Sequence, residues 1–208
     1  SCTSLLDKWA INSVKHPQTP KSRMYPIKKA NVYNPWDSTR LAVELALPDN
    51  GRNFKTIILV SGHITGEPPA DRDYEITGHR YFLVLSDLLV SRGYAVIRYD
   101  NRGVGGSSGN FKTATDNEYA SDAAAVLRWS KTNPYFDASM VGFIGHSQGG
   151  IKAPLASLLE EPDFIVTLGS GVEELSKTIE RQTAEMNKVS GVEPDQNDAQ
   201  LQEIRELF

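Results

Sequence analysis

A chain of 208 residues with 39% hydrophobic composition can enclose one substantial core and lies near the upper size of a single domain. Its net charge of −4, with basic residues scattered rather than clustered, gives no electrostatic footprint for nucleic acid or an anionic membrane and points instead to a small-molecule substrate. No stretch approaches the apolar length of a transmembrane helix, and the N-terminus lacks the charged-then-apolar pattern of a secretory signal, so the chain as given reads as soluble. Cys2 is the only cysteine, which excludes an intrachain disulfide and leaves the compartment open, cytoplasmic or exported.

Residues 1–30 are polar and broken by His16-Pro17, Thr19-Pro20 and Tyr25-Pro26, and are expected to form an N-terminal arm. The Ser1-Cys2 start allows two readings, a lipoprotein-type cleavage site with Cys2 lipidated, or a fragment boundary. With no initial methionine, processing or truncation upstream is expected. Leu41–Leu47 precedes the turn signal Pro48-Asp49-Asn50-Gly51 and is predicted to be half of a hairpin. Thr56–Ser61 is a β-branched run without polar alternation, which predicts a central strand covered on both faces.

Helical spacing follows at Tyr81, Leu85, Leu88 and Leu89, closed by Gly93. Tyr94–Tyr99 is the next strand. The loop Gly103-Val104-Gly105-Gly106-Ser107-Ser108-Gly109 invites a phosphate-binding reading, but Ser108 stands where a third glycine is needed and no Lys-Ser/Thr follows. It reads better as a tight turn tied down by Asp100 and Arg102. Thr115 with Glu118 makes a capping box for a second helix whose apolar face is Tyr119, Ala123, Val126 and Leu127.

Met140–Ile144 is a short apolar strand, and Ile151–Leu159 a helix. Between them Gly145-His146-Ser147-Gln148-Gly149 matches G-x-S-x-G, the nucleophile elbow, in the strand–turn–helix setting that motif requires. Glycines two positions either side let neighbouring backbone pass, and the helix N-terminus favours the negative oxygen that develops in acyl transfer. Ser147 is therefore the candidate nucleophile. Pro154 should kink the helix that follows. Phe164–Leu168 is a further strand, and strand–helix alternation over residues 56–168 predicts a mostly parallel sheet with helices on both faces. Beyond Gly171 come charged helices, one with the stripe Leu175, Ile179, Gln182, Met186 and Val189 and one begun by Leu201, Ile204 and Phe208. They are either a cap over the site or ordinary packing helices.

Taken in order, Val60-Ser61-Gly62, Asp71-Arg72-Asp73, Gly78-His79, Arg98-Tyr99-Asp100-Asn101-Arg102-Gly103-Val104-Gly105 and Gly145–Gly150 resemble the bacterial esterase and serine-aminopeptidase-like branch of the α/β-hydrolase superfamily. The resemblance covers about residues 40–208. After the arm over 1–30, it implies a hydrolase core over 31–171, the start of a helical cap over 172–208 and a serine hydrolase with a Ser…Asp/Glu…His triad. It places the oxyanion donors at the backbone N–H of Gln148 and of His63 or its neighbour Ile64. The loop from Gly62 to Pro69 looks longer than its counterparts. The four histidines, His16, His63, His79 and His146, all precede Ser147, whereas the resemblance puts the base after it.

Three explanations compete for the missing base: a fragment of a longer enzyme, a second polypeptide, or an upstream histidine acting in substitution. The fragment is preferred, because the last sheet strands are missing too and Phe164–Leu168 would otherwise be an exposed apolar edge. Carboxylic ester hydrolysis is the expected reaction, with a peptidase or a non-catalytic binding protein as alternatives. Glu173 or Glu174 would serve a peptidase as the acidic group recognising a free amine. The substrate expected is a small-molecule ester or amide. No metal-ligand spacing appears, and no cofactor is expected.

Overall fold

Eight strands and five helices form among the described residues of the computed structural model, which are 19–62, 69, 71–76, 78–171 and 174–206. Six strands make one mixed sheet. β1 (Ile27–Tyr33) and β2 (Arg40–Ala46) are an antiparallel hairpin, and β2 is also antiparallel to β6 (Ala95–Tyr99). β3 (Phe54–Val60) lies parallel between β6 and β7 (Phe136–His146), and β8 (Ile165–Leu168) runs parallel to β7, giving the order β1-β2-β6-β3-β7-β8. β4 (Glu75–Ile76) and β5 (His79–Arg80) form a separate two-residue ribbon.

The expected hairpin is displaced by one strand. β2 pairs with β1, and the turn after Leu47 carries the chain past β6 to β3. The reason is burial: β3 is apolar on both faces and belongs in the middle, whereas β1, with Lys28, Lys29 and Asn31 exposed, suits an edge. β1 also takes in Ile27–Ala30, residues read from the sequence as arm.

Alternation along β3 feeds both faces. Ile57 and Leu59 pack with Val96 beneath α1 (Tyr81–Ser91), which contributes Phe82 and Val90. Ile58 and Val60 join Ile97 and Phe143 beneath α2 (Asp116–Thr132) and α3 (Gly149–Ala156), which contribute Ala123, Leu127 and Ala153. The face α1 buries is Phe82, Leu83, Ser86 and Val90. In the stripe predicted for this helix, Leu88 is 51% and Tyr81 43% exposed, so the inward face is rotated from the sequence-based expectation. The capping box of α2 is present, with Thr115 Oγ1 accepting from Glu118 N and the Glu118 carboxylate accepting from Thr115 N.

A second compact unit begins at Gly171. It holds α4 (Leu175–Ser190), closed by Gly191 in the left-handed region, and α5 (Pro194–Glu206). Asn187 donates to Asn197 and Gln200, and Arg205 pairs with Glu180, so polar contacts join the two helices. Met186 and Val189, assigned above to the apolar stripe of α4, are 58% and 82% exposed.

Candidate active site

β7 ends at His146 and α3 begins at Gly149, so the chain reverses in two residues, Ser147 and Gln148. Ser147 has φ 55°, a left-handed conformation that costs a serine about 1–3 kcal/mol and persists only where the surroundings over-determine it. They do so here. Ser147 N donates to Leu168 O at 2.9 Å, and the Ser147 carbonyl accepts from Gly150 N at 2.9 Å and Ser170 Oγ at 2.7 Å. A β-carbon on Gly145 would collide with the backbone of Gly149, and one on Gly149 with the carbonyl of Val60, so the turn closes only with glycine at both positions.

Gln148 is the N-cap of α3, and its side-chain amide donates to Asp116 Oδ1 at 2.7 Å, tying the turn to the start of α2. Its backbone nitrogen faces the chain leaving β3: a β-carbon on Gly62 would stand 3.0 Å from Gln148 N and 3.1 Å from Ser147 Cβ. The preceding residue, Ser61, is held twice. Asn101 Nδ2 donates to its hydroxyl at 2.7 Å, and Lys152 Nζ to its carbonyl at 3.2 Å. His63 and Ile64, the candidates for a second backbone donor, lie outside the described residues, as do His16, Cys2 and Glu173.

The segment Asp71-Arg72-Asp73 is fixed to β6 and to the loop after it. Arg72 makes a two-point contact with Asp100, through Nε at 3.0 Å and Nη2 at 2.5 Å, and its backbone N–H reaches the same carboxylate. Asp73 pairs with Arg98, which is 1% exposed and also pairs with Glu44. Arg72 and Asp73 thus bind the sheet, because the end of β6 carries two buried ions, Arg98 and Asp100, that need partners. Asp100 also accepts from Gly106 N at 2.9 Å, and Arg102 pairs with Asp122, Glu118 and Asp37. Those contacts make the glycine-rich segment a tied-down turn.

The anchored segment delivers Tyr74, a residue for which the sequence carried no signal. It is 4% exposed, also has a left-handed φ of 55°, and stands with its hydroxyl 3.1 Å from His146 Nδ1. The Gly62 N–H donates to the same oxygen, and burial raises the Tyr74 pKa. Burial lowers the pKa of His146, which favours the neutral ring. His79 does not cap α1. The N-cap is Arg80, without a side-chain cap bond, and His79 sits in β5 with its ring 4.6 Å from that of Tyr81. Glu174 precedes α4 and pairs with Lys177 at 3.1 Å. Among the described residues, no group of three His, Cys, Asp or Glu side chains is placed to hold a metal ion, and no helix is long and apolar enough to cross a membrane.

Residues 37–189, from just before β2 into α4 and including Ser147, match the family model for X-Pro dipeptidyl-peptidase (S15 family). The chain belongs to the S15 family. Solved structures share its fold at low identity: an esterase of Pyrococcus furiosus (24% identity, TM-score 0.63, 82% of this chain and 60% of that one), a hypothetical protein of Pseudomonas aeruginosa (19%, 0.60, 84% and 57%) and an α/β serine hydrolase without a lid from Xanthomonas campestris (18%, 0.54, 76% and 67%). No curated protein matches the chain. The S15 chain therefore has the α/β-hydrolase fold that its motifs implied, and it spans somewhat more than half the length of the first two of these structures.

Proposed function

We propose that this member of the S15 family is a serine hydrolase that cleaves carboxylic esters through an acyl-enzyme on Ser147. The observation that carries the reading is the left-handed φ of Ser147 at the junction of β7 and α3, strain of the kind that a nucleophile elbow stores. In this mechanism Ser147 Oγ attacks the acyl carbonyl. The oxyanion is held by the N–H of Gln148 and by the N–H of His63 or Ile64, and collapse expels the alcohol, which takes its proton from the base. Water then attacks the acyl-enzyme and releases the acid, returning the proton to Ser147.

A serine hydroxyl is weakly nucleophilic unless a neighbour takes its proton. His146 is hydrogen-bonded to Tyr74 and His79 belongs to β5, so neither is assigned as the base. We assign the triad acid and histidine to sequence after residue 208 of a longer polypeptide, a reading supported by the 57–60% of related chain length covered here. The helices α4 and α5 are then the start of a cap.

The family match favours a second reading, hydrolysis of a peptide amide by the same acyl-enzyme chemistry. Labelling with a fluorophosphonate probe, compared between the parent protein and Ser147→Ala, tests the nucleophile. Turnover of p-nitrophenyl esters against an Xaa-Pro-p-nitroanilide then separates the two substrate classes. Absence of Ser147-dependent labelling in folded full-length protein would leave a binding protein as the reading.

A further inference from the structure

Lys152 lies one turn into α3, is 1% exposed, and has no place in the acyl-transfer steps above. Its ammonium donates to the carbonyl of Ser61 at 3.2 Å and stands 4.3 Å from the centre of the Tyr119 ring. That carbonyl belongs to the same peptide group as the Gly62 N–H, which donates to the Tyr74 hydroxyl. One peptide plane is therefore held at its oxygen by Lys152 and at its nitrogen by Tyr74. Gly62 itself faces Gln148 N.

We propose that Lys152 is a positioning residue for the Ser147 site, its buried ammonium fixing the Ser61–Gly62 peptide where it meets the backbone nitrogen of Gln148. The proposal rests on the serine hydrolase reading for its effect on rate, but its structural half, the coupling of Lys152 to Gly62, stands apart from that reading. A lysine is costly to enclose, and an apolar side chain would pack between α2 and the sheet without that cost. Among the described residues, the groups facing the ammonium include Asp116, Tyr119 and Asp122 of α2 and the end of β3. Arg102, from the loop after β6, binds Asp122 on its other side. Burial pushes the lysine down to about 8, with Asp116 and then Asp122 opposing the shift. Above that pH the contact to Ser61 becomes a neutral amine bond, which is weaker than a charge-assisted one.

The test measures fluorophosphonate labelling from pH 6.5 to 10 in the full-length protein and in Lys152→Met and Lys152→Arg. Loss of a charged hydrogen bond predicts labelling slower by about tenfold in Lys152→Met at pH 7. It also predicts an alkaline decline near pH 8 in the parent that is absent from Lys152→Met and moved upward in Lys152→Arg. Lys152→Met labelling at the parent's rate with the parent's pH profile would overturn the proposal. If the variants do not fold, the parent decides alone. Its Gly62 and Gln148 amide resonances should shift with the midpoint of the Lys152 side-chain titration, and a titration among the surface lysines, or unresponsive amides, would overturn it. Absence of Ser147-dependent labelling at every pH counts against the hydrolase reading, and the amide titration then decides Lys152 separately.

Discussion

Gly62 and Gln148 approach so closely that a single added carbon on the first would stand 3.0 Å from the backbone nitrogen of the second. His146 O and Ser147 Cβ are each 3.1 Å from that carbon, and none of the three atoms sits at the end of a flexible side chain that could swing aside to relieve the contact. Gly62→Ala is expected to separate the loop after β3 from the turn and to slow Ser147 labelling by roughly tenfold to a hundredfold, the scale of a displaced oxyanion donor. Unchanged labelling in this variant would show that the approach is irrelevant to the chemistry.

Strain at Ser147 predicts opposed effects on stability and activity. A residue without a β-carbon tolerates φ 55°, so Ser147→Gly should be more stable than Ser147→Ala by about 1 kcal/mol, while both lose labelling. Denaturant unfolding of the two variants checks this, and equal stabilities would mean that the turn carries no strain.

Arg98 joins β2, β6 and the Asp71–Asp73 segment through Glu44 and Asp73. Replacing it by methionine leaves Glu44, itself 6% exposed, without this partner, and the expected loss is about 3–5 kcal/mol. Glu44→Gln keeps a hydrogen-bonding oxygen and should cost less. A thermal midpoint for Arg98→Met within a degree of the parent's would refute the assignment of this ion cluster as a structural tie.

The buried lysine makes stability depend on pH in a definite sense. Folded Lys152 releases its proton near 8, whereas the unfolded chain holds it to about 10.4. Between those values the unfolded state binds more protons, so this group's contribution rises with pH across the window; below pH 8 the full cost of enclosing the cation is present. The parent should therefore gain on Lys152→Met by about 3 kcal/mol between pH 7.5 and 10.5. A stability difference that stays constant over that range would contradict a depressed folded-state value.

Removing the Tyr74 hydroxyl leaves the ring packed against Phe82 but frees both His146 Nδ1 and the Gly62 N–H. Tyr74→Phe is expected to cost about 1–2 kcal/mol in stability and several-fold in labelling rate. The histidine's titration, followed by NMR, should move in the same variant.

What the sequence made legible were features written in local pattern. The strand–turn–helix around Ser147 was visible because two glycines, an apolar strand and a helical pattern surround it. The α2 capping box was visible because Thr115 and Glu118 stand three apart. An apolar, β-branched run without polar alternation placed β3 at the centre, but it could not say which strand β2 would meet, since that depends on a register decided by residues far along the chain. Tyr74 and Lys152 escaped notice for the same reason: each matters through a contact with the Ser61–Gly62 peptide, which no spacing rule connects to either.

The position of β3 also has a kinetic side. Its partners are β6 and β7, and its pairing with β7 runs from Thr56 opposite Val141 to Val60 opposite Gly145, roughly 85 residues later. At synthesis rates of about 5–20 residues per second, the most apolar strand waits on the order of 4–17 s on the ribosome for its second neighbour. The bond from Ser147 N to Leu168 O forms later still. The turn at Ser147 is therefore among the last parts of the sheet unit to be built, and conditions that lengthen the wait favour aggregation through β3 before that turn exists.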